Sequence, residues 1–490
     1  MPVPFDLLFT PFQKNMKISI DRLPQNHKGL ILLPFEESES LRYPTDFQNL
    51  KISSVLFSGK KDTQFLLEDS ASERTYLLIG LGKNPDYKTI QTAFRRLTAK
   101  QSRLFEKGAL LAIQEEMKDS FLEAAVSGLY LGTYRLGHFK KTEEPKLDWE
   151  NVSLRISSSS EDAEKIAERA SKIANAQLQV FNLVDLPSNT VTPEYLSDWA
   201  RNAGKTFGFE VKVLGRAEAK EQHLDAFLAV SQGSHREPQF IIAQYNPENP
   251  KKHIGLVGKG VTFDTGGLNI KTAGMVHMKC DMGGAAAVLG AMQAIADLKL
   301  PVKVTAIVPC VENSVDNQAF LPSDVIGSYA GKTIEIIDTD AEGRLILADG
   351  LSYLIKNHQP DTVIDLATLT GSTVGTFGYE CAALFTNDID LSQNLQKSGE
   401  SIGERVWPLP LWDVYQPEIE SEIADLKNYH GKPFAGAIVA AKFLEAFTEN
   451  HGSWAHIDIA GTAFGDSEFA KTKHATGFGM HLLLNLLEKI

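Results

Sequence analysis

The stretch IIDTDAEGRLILADG, residues 336–350, groups acidic side chains at spacings that suit a metal ion. Asp338, Asp340, Glu342 and Asp349 nearly match the calcium-loop pattern D-x-[DN]-x-[DN]-G-x5-E, with Asp349 in the place of the bidentate glutamate. As a calcium loop, the stretch would make the chain a binding protein. As a carboxylate cluster at the end of a strand in an α/β fold, it would make the chain an enzyme.

The residues before these acids favour the second interpretation. The segment GKTIEII at 331–337 is rich in β-branched side chains, whereas a calcium hand needs an amphipathic incoming helix. Because residues i, i+2 and i+4 of an extended chain share one face, we expect Asp338, Asp340 and Glu342 to point together as the strand ends. Gly343 then permits a turn into a helix. In a simpler alternative, Asp338 or Asp340 only caps that helix.

Two further stretches combine charged side chains with glycine and other small residues. VGKGVTFDTGGLNIK, residues 257–271, carries Lys259, Asp264 and Lys271. HMKCDMGGAAAVLGAM places Asp281 directly before a helix of small residues. Taken singly, the lysines are typical of a solvated surface turn, and Asp281 is typical of an N-cap. Taken with the acids of the first stretch, they are further candidates for a metal site.

The types of donor limit the metal. The chain contains neither H-E-x-x-H nor Cys-x-x-Cys, and the three stretches offer carboxylates without histidine at ligand spacing. Hard oxygen ligands favour Mn²⁺, Mg²⁺ or Zn²⁺, and several carboxylates can bridge two ions about 3.5–4 Å apart. The residues alone therefore predict a divalent metal site and leave the metal open.

Alternating strand-like and helical patterns predict an α/β fold. GLILLPF and TYLLIGLG have the composition of buried strands, and helical patterns cover 89–105 and 121–134. A second strand-like series follows: FEVKVLG, FLAVSQG, QFIIAQY, HIGLVGKG, VKVTAIVPC, KTIEII, DTVIDLATLTG and WAHIDIAG. Because these segments are apolar throughout, we expect a central mixed sheet that is flanked by helices on both faces.

The run SSSSED at 157–162 separates the two series and suits the N-terminus of a helix. We therefore predict a smaller N-terminal α/β domain at 1–160, a connecting helix at 161–182 and a larger C-terminal domain at 183–490. A chain of 490 residues, 43% of them hydrophobic, is long and apolar enough for two cores.

Charge and cysteine content exclude several classes of protein. The formal net charge of −13, spread without long acidic blocks, argues against nucleic acid and anionic membranes as partners. Three cysteines are too few for a disulfide framework and are typical of reduced cytoplasmic thiols. The opening MPVPFDLLFTPFQKN lacks the pattern of an export signal, and no apolar stretch is long enough to span a bilayer. We expect a cytoplasmic protein without a membrane partner.

Together the three candidate stretches resemble the leucyl aminopeptidase family, cytosolic exopeptidases with two metal ions and the signature N-T-D-A-E-G-R-L. The match here is DTDAEGRL at 338–345. Further family-like stretches are NLVDLPSNTVTPEYL, IDLATLTG, ERVWPLPLW, SEIADLKN, WAHIDIAGTAF and ATGFGM. The resemblance runs from about Asn182 nearly to the C-terminus and implies a dinuclear-metal peptidase domain at 183–490.

The resemblance also implies the ligands of two divalent ions per subunit, Mn²⁺ or Zn²⁺, with Mg²⁺ as an alternative. One ion would be held by Asp264, Asp340 and Glu342, and the other by Lys259, Asp264, Asp281 and Glu342. Asp264 and Glu342 would bridge the ions. A lysine ligand must be a neutral amine, and two nearby dications lower its pKa because like charges disfavour the ammonium form.

The implied reaction is hydrolysis of the first peptide bond in peptides with a free N-terminus. A metal-bridging hydroxide would attack the carbonyl, while one ion would bind the terminal amine. Lys271 would polarise the carbonyl and stabilise the gem-diolate. Arg344 would hold a bicarbonate that shuttles the proton, because a guanidinium suits bidentate capture of a planar carbonate.

The resemblance further implies an apolar pocket that prefers leucine-like or methionine-like first residues. Its members would be Met278, Thr368, Leu369 and Gly371, and for each the alternative is plain core or loop packing. Asp338 stands where the family signature has asparagine, and this adds a negative charge beside the substrate amine.

Two other departures touch no implied ligand. ENSVDNQAFLPSDV at 312–325 differs from the usual family loop, and Ala435 stands where glycine is usual. Members of the family also lead us to expect a homohexamer whose active sites face an inner cavity.

Functions from other classes stay open at this stage. A calcium sensor would change its structure on binding Ca²⁺ without turnover. Some bacterial members of the family have a second role in DNA binding, which the acidic balance disfavours here. A catalytically dead relative is disfavoured because all five implied ligands are retained, together with Lys271 and Arg344.

Overall fold

The computed structural model describes residues 16–21, 23–50, 52–137, 139–140 and 147–490. Within these residues, no helix combines the length and the apolarity that crossing a membrane requires.

The described chain forms two compact units. One contains residues 179–400 and 404–490, and the other contains the described residues up to 178 together with 401–403. We call the first the C-terminal unit and the second the N-terminal unit.

The N-terminal unit is an α/β structure. Its elements are β1 (Lys17–Ile20), β2 (Gly29–Phe35), β3 (Gln64–Asp69), β4 (Arg74–Gly80), α1 (Tyr87–Lys100), β5 (Ala109–Ala112), α2 (Asp119–Leu131) and β6 (Ser153–Ser157). The strands form one sheet in the order β1-β6-β5-β2-β4-β3, and only the pairing of β3 with β4 is antiparallel.

A long helix, α3 (Ala163–Asp185), carries the chain from one unit into the other. It occupies the region where the sequence predicts a connecting helix at 161–182. The domain boundaries at 160 and 183 stay a prediction.

The C-terminal unit holds the larger set of elements. Its strands are β7 (Glu210–Leu214), β8 (Gln239–Tyr245), β9 (His253–Gly258), β10 (Gly260–Asp264), β11 (Lys303–Asn313), β12 (Val325–Ile326), β13 (Ile334–Glu335), β14 (Thr362–Ala367), β15 (Ala382–Thr386), β16 (Val406–Pro408), β17 (Leu426–Lys427), β18 (Trp454–Asp458), β19 (Phe464–Gly465) and β20 (His474–Ala475). Its helices are α4 (Pro193–Phe207), α5 (Arg216–Glu221), α6 (Asp225–Val230), α7 (Gly283–Asp297), α8 (Gly343–His358), α9 (Gly371–Phe377), α10 (Ile389–Ile402), α11 (Gly436–Glu445) and α12 (Met480–Leu487).

A nine-stranded mixed sheet forms the centre of this unit, in the order β16-β15-β18-β14-β9-β11-β8-β7, with β10 paired to β11. The pairs from β18 to β11 are parallel, and the pairs of β8 with β7 and β11 are antiparallel. The predicted α/β fold, with two domains and a central mixed sheet in the larger one, is confirmed.

Strand β9 shows how helices cover both faces of this sheet. A Cβ atom on Gly255 would lie 2.7 Å from Leu354 in α8, and one on Gly258 would lie 2.8 Å from the backbone oxygen of Gly284 in α7. Because alternate residues of a strand point to opposite faces, α7 and α8 pack on opposite sides of the sheet. The small residues of GGAAAVLGAM allow α7 to approach the strands closely.

One predicted strand is wrong. FLAVSQG at 227–233 lies in α6 and in the 3₁₀ turn that follows it. Asp349 of α8 accepts hydrogen bonds from the N–H groups of Phe227, in the first turn of α6, at 2.9 Å, and of Tyr329 at 2.7 Å. Asp349 therefore caps α6 from a distant part of the sequence, and a short apolar run does not reveal such a contact.

The calcium-loop interpretation is also wrong. Asp349 is fully buried, and backbone donors use both of its oxygens. The segment before Asp338 contains the two-residue strand β13 rather than an incoming helix. The stretch therefore lacks both the helix-loop-helix frame and the last ligand of a calcium hand.

The departure at position 435 places a side chain where the backbone disfavours one. Ala435 precedes α11 and has a φ of 56°, in the left-handed region. A residue with a Cβ atom is about 1–2 kcal/mol less stable in that conformation than in the right-handed one, whereas glycine adopts it without a steric clash.

We expect Ala435→Gly to raise the free energy of unfolding by about 1 kcal/mol, because glycine removes the Cβ clash at a positive φ. Urea unfolding followed by circular dichroism measures the effect. The matched control is Ala440→Gly in the interior of α11, which should destabilise the chain by about 1 kcal/mol or more. Loss of stability in both variants would contradict the strain at residue 435.

Asp349→Asn should destabilise the chain in a pH-dependent way. Burial raises the pKa of Asp349 to about 7, so its stabilising contribution is complete below about pH 4 and is lost as the pH rises through about 7. At pH 5 we expect the free energy of unfolding of the variant to be about 1–3 kcal/mol lower than that of the wild type, because the new amide presents N–H to a backbone N–H. At pH 8 we expect a smaller difference.

Urea unfolding at the two pH values tests this expectation, and Glu221→Gln on the exposed surface of α5 is the control. If the loss of unfolding free energy in Asp349→Asn grows between pH 5 and pH 8, Asp349 does not act through a raised pKa.

Candidate metal centre

The candidate residues gather at one edge of the central sheet. Strands β9, β14 and β18 are parallel neighbours, so their carboxyl ends share that edge. Lys259 follows β9, Thr368 follows β14, and Asp458 ends β18. Asp264 ends β10, which runs parallel to β11. Open α/β sheets bind ligands in the crevice beyond such an edge.

Asp264 is oriented by the tight turn that follows it. Gly266 and Gly267 have φ values of +87° and +63°, which a residue without a Cβ atom adopts freely. One carboxylate oxygen, Oδ1, accepts hydrogen bonds from the N–H of Gly266 and from Asn313 Nδ2, both at 2.8 Å. The other, Oδ2, lies 2.7 Å from Lys271 Nζ. The carboxylate is thus buried and held from three directions.

Two of the signature acids converge on Asp264. Carboxylate oxygens of Asp264, Asp340 and Glu342 lie within 4.8 Å of one another. Strand β13 ends at Glu335 and belongs to the small sheet β12-β13-β17, so the acids stand in the turns that precede α8. Asp338 Oδ1 accepts the N–H of Asp340 at 2.8 Å. The expectation that the three signature acids point together as the strand ends is therefore met only by Asp340 and Glu342, because Asp338 bonds the backbone instead.

Lys259 links the remaining candidate ligands. Its Nζ donates to both carboxylate oxygens of Asp281 and to the backbone oxygen of Thr368, each at 2.8 Å. The same Nζ lies 3.1 Å from Glu342 Oε1. Asp281 also accepts a hydrogen bond from Thr368 Oγ1 at 2.8 Å. All four side chains are buried, so these contacts are shielded from water.

Lys271 forms the other positive group of the site. Its Nζ lies 2.7 Å from Asp264 Oδ2 and 2.5 Å from Asp340 Oδ1. Its side chain keeps 18% of its surface exposed, compared with 3% for Lys259. Lys271 therefore connects the buried Asp264 and the more exposed Asp340 to the open side of the crevice.

Gly343 makes room for Lys259. A Cβ atom at position 343 would lie 2.3 Å from Lys259 Cε and 2.8 Å from its Nζ, closer than packed atoms approach. Gly343 is the first residue of α8 and has no positive φ. The turn expected from the sequence is therefore not the reason for glycine here, and the close approach of the lysine is.

The site contains more carboxylates than ammonium groups. When ionised, the four acids carry four negative charges, and the two lysines carry two positive charges, so the site has two negative charges in excess. The acids are Asp264, Asp281, Asp340 and Glu342, and the lysines are Lys259 and Lys271.

This excess is reflected in the pKa values of the acids. Burial raises the pKa of Asp281 and Glu342 to about 7 and that of Asp340 to about 6, and neighbouring carboxylates add to the rise while the lysines oppose it. Burial lowers the pKa of Lys259 and Lys271, but the surrounding carboxylates outweigh it and raise both pKa values.

These residues fit a divalent cation. Glu342 Oε2 is buried and has no hydrogen-bond partner among the described residues. A buried carboxylate oxygen that lacks a donor is costly unless a cation approaches it. Because the group consists of hard oxygen donors and one amine, it suits Mn²⁺, Zn²⁺ or Mg²⁺.

Arg344 has the environment of an anion-binding group. It is buried, its Nη1 donates to the backbone oxygen of Asn428 at 2.7 Å, and its Nε has no partner among the described residues. Removal from water lowers its pKa to about 10, which leaves the guanidinium charged at neutral pH. A charged fork with an unused donor suits a small planar anion.

The predicted pocket residues lie in two segments beside the acids. Met278 is half-buried in a 3₁₀ turn, Met275–Cys280, directly before Asp281. Thr368, Leu369 and Gly371 follow β14, and Thr368 contacts both Lys259 and Asp281. The loop after β14 therefore touches two of the candidate ligands.

Three orienting residues were not predicted. Asp458 accepts hydrogen bonds from Leu369 N at 3.1 Å, Thr370 Oγ1 at 2.6 Å and Thr373 Oγ1 at 2.7 Å, and so holds the loop after β14. Asn313 holds Asp264, and Asn428 holds the signature loop. Each stands at or just after the end of a strand, and this position was the only signal in the sequence.

The chain is similar to known proteins over most of its length. The model described as “Cytosol aminopeptidase family, catalytic domain” matches residues 180–484, and “Cytosol aminopeptidase family, N-terminal domain” matches residues 51–143. A “Probable cytosol aminopeptidase” of Chlorobaculum tepidum is 45% identical over 389 residues, which cover 77% of each chain. One of Roseiflexus castenholzii is 40% identical over 473 residues, 94% of this chain and 96% of the relative.

A solved structure is also similar over nearly the whole chain. The bottromycin maturation enzyme BotP in complex with Mn has a TM-score of 0.83 and 28% sequence identity. The alignment covers 94% of this chain and 99% of BotP.

We expect Gly343→Ala to weaken Mn²⁺ binding about tenfold or more, because the added Cβ atom displaces the amine of Lys259 and such overpacking costs about 1–3 kcal/mol. Isothermal titration calorimetry with MnCl₂ measures the dissociation constant. Gly375→Ala in α9, where a Cβ atom would meet nothing within 4 Å, is the matched control. Equal affinities in the two variants would show that Lys259 does not need this space.

Proposed function

The chain belongs to the cytosol aminopeptidase family and is a metal-dependent aminopeptidase, and we propose that it uses two divalent ions to hydrolyse the first bond of peptides with a free N-terminus. The observation that carries this proposal is the convergence of Asp264, Asp340 and Glu342, beside the buried pair of Lys259 and Asp281.

The proposed ligands divide into two sets that share two bridging acids. Asp264, Asp340 and Glu342 would hold one ion, and Lys259, Asp264, Asp281 and Glu342 would hold the other. The excess of two negative charges and the unpartnered oxygen of Glu342 support the binding of divalent cations among these residues. BotP, which has a similar structure, is described in complex with Mn, and this supports Mn²⁺ beside Zn²⁺ and Mg²⁺ as candidates.

When bound, the two ions would supply Lewis-acid polarisation of the peptide carbonyl, a hydroxide nucleophile at neutral pH and an anchor for the terminal amine. Lys259 would enter this site as a neutral amine. The carboxylates around it raise its pKa, so the positive charge of the ions is needed to reverse that effect.

Lys271 is proposed to stabilise the oxyanion of the gem-diolate. Asp264 and Asp340 raise its pKa, so it keeps a positive charge at neutral pH. It is also the partly exposed lysine of the site, so a peptide carbonyl can reach its ammonium group. A fixed charge of this kind typically lowers the barrier to acyl transfer by a few kcal/mol.

Arg344 is proposed to hold bicarbonate, which would carry a proton from the nucleophile to the leaving amine. Its buried guanidinium keeps an Nε–H that has no partner among the described residues. Its bond from Nη1 to the backbone oxygen of Asn428 helps to orient the guanidinium that would hold the anion.

We further propose that the pocket for the first side chain is formed by Met278, Thr368, Leu369 and Gly371. An adaptable thioether and short aliphatic groups favour leucine-like and methionine-like residues. Asp338 would add negative charge near the substrate amine. We also propose a cytoplasmic homohexamer, in line with the family resemblance of the sequence.

The first experiment is removal and restoration of the metal. Protein stripped with a chelator should not hydrolyse leucinamide, and Mn²⁺ or Zn²⁺ should restore the rate, whereas Ca²⁺ should not. In Glu342→Ala the rate should stay close to zero after Mn²⁺ is added, because a bridging ligand is lost. The rate of hydrolysis is measured from the amount of ammonia released.

The matched control for Glu342→Ala is Asp349→Asn, which alters another acid of the same stretch. Asp349 faces α6 and should not affect the restored rate at a temperature where the variant is folded. Restoration by Ca²⁺ alone, or no restoration by any ion in folded protein, would refute the proposed function.

A further inference from the structure

The stretch SEIADLKN at 421–428 supplies no proposed ligand, but it lies beside the signature loop. Its strand β17 runs parallel to β13, with Lys427 opposite Glu335. The N–H of Asn428 donates to the backbone oxygen of Glu335 at 3.0 Å and extends this pairing by one bond. Asn428 therefore stands where the chain leaves β13 for the acids.

The buried side chain of Asn428 binds the backbone of the signature loop with both of its polar groups. Oδ1 accepts hydrogen bonds from the N–H groups of Ile337 at 2.8 Å and Asp338 at 3.3 Å. Nδ2 donates to the backbone oxygens of Asp338 at 2.6 Å and Ala341 at 3.4 Å. These bonds span both sides of Asp340, so they fix the loop that carries it.

This contact pattern suits a carboxamide. The loop presents two N–H groups to one side of the Asn428 side chain and two carbonyl oxygens to the other, and an amide offers two lone pairs and two N–H donors. An aspartate in the same place would set a negative oxygen against the carbonyls of Asp338 and Ala341 in a buried site. The surrounding backbone thus favours asparagine over aspartate, although the two side chains have the same shape.

Asn428 also orients the proposed anion site. Its backbone oxygen accepts the hydrogen bond from Arg344 Nη1 at 2.7 Å. Asn428 therefore contacts both the loop that carries Asp340 and the guanidinium of Arg344. No proposed role in the reaction involves Asn428 itself.

We propose that Asn428 is a positioning residue for the metal centre, which holds Asp340 and Glu342 where their carboxylates face Asp264. This inference rests on the proposed function, because it assigns to Asn428 the support of that same metal site. Residues that orient metal ligands typically change metal affinity by 10–100-fold when they are replaced.

The test is isothermal titration of the metal-stripped full chain with MnCl₂, at a temperature where circular dichroism shows each variant folded. Asn428→Ala removes the four side-chain bonds without adding charge. Asn428→Asp keeps the shape and adds a negative charge, which would tighten cation binding if charge were the only effect. We expect the dissociation constant to rise at least about tenfold in both variants.

The matched control is Asp349→Asn, which breaks a buried side-chain bond to backbone N–H groups on the same helix, α8, away from the acids. Its dissociation constant for Mn²⁺ should stay within twofold of the wild-type value. A similar loss of affinity in this control would assign the effect to general loosening of the chain and overturn the proposal.

The remaining outcomes are also decisive. If the wild-type chain binds no Mn²⁺, Zn²⁺ or Mg²⁺, the proposed function fails. If the wild-type chain binds Mn²⁺ and both Asn428 variants bind it within twofold, the positioning role fails while the proposed function stands. Tighter binding in Asn428→Asp, or failure of both variants to fold, would likewise overturn the positioning role.

Discussion

The burial of more carboxylates than ammonium groups at one edge of the central sheet is the constraint on which the rest of the site depends. Asp264, Asp281 and Glu342 repel one another, and burial removes the water that would weaken that repulsion. Asp340 adds a fourth negative charge beside them, with 34% of its side chain exposed. Besides the two lysines, neutral donors hold two of these acids: the N–H of Gly266 and Asn313 Nδ2 bond Asp264, and Thr368 Oγ1 bonds Asp281. A divalent cation is the component that offsets the charge, so the same repulsion that opposes folding of the site favours binding of the metal.

The supporting contacts join the segments that carry the acids into one structure. Thr339 Oγ1 donates to the backbone oxygen of Gly266 at 2.7 Å and accepts the N–H of Asn269 at 2.9 Å, so the signature loop is tied to the turn that follows Asp264. Asn313 Nδ2 bonds both Asp264 Oδ1 and the backbone oxygen of Thr339. Because these side chains are uncharged, they fix the acids without adding to the charge of the site.

Close packing sets the remaining geometry. The amine of Lys259 reaches Asp281 and Glu342 only because Gly343 has no Cβ atom, and α7 reaches the sheet because Gly284 has none. A glycine at the start of α8 costs helix stability relative to alanine, by about 1 kcal/mol. Glycine nevertheless stands at this position, because the buried side chain of Lys259 lies where a Cβ atom would be. The small residues of the C-terminal unit thus serve the approach of charged groups as well as helix packing.

The sequence by itself determined the α/β class, the two-domain organisation, most strands of the central sheet and the set of candidate acids, because apolar periodicity and side-chain chemistry are local properties. The family resemblance named Asp264, Asp340 and Glu342 as one ligand set, but the spacing of the residues alone did not determine which acids meet. Asp349 fits the spacing of a calcium loop but caps α6, and Asp338 binds the N–H of Asp340 while its neighbours face Asp264. Only the tertiary structure decided these pairings, and it alone showed Asn313, Asn428 and Asp458 beside the loops that they hold. The physical reason is that hydrogen bonds and close approaches between residues distant in sequence depend on strand order and helix packing, which leave no mark on the spacing of the residues themselves.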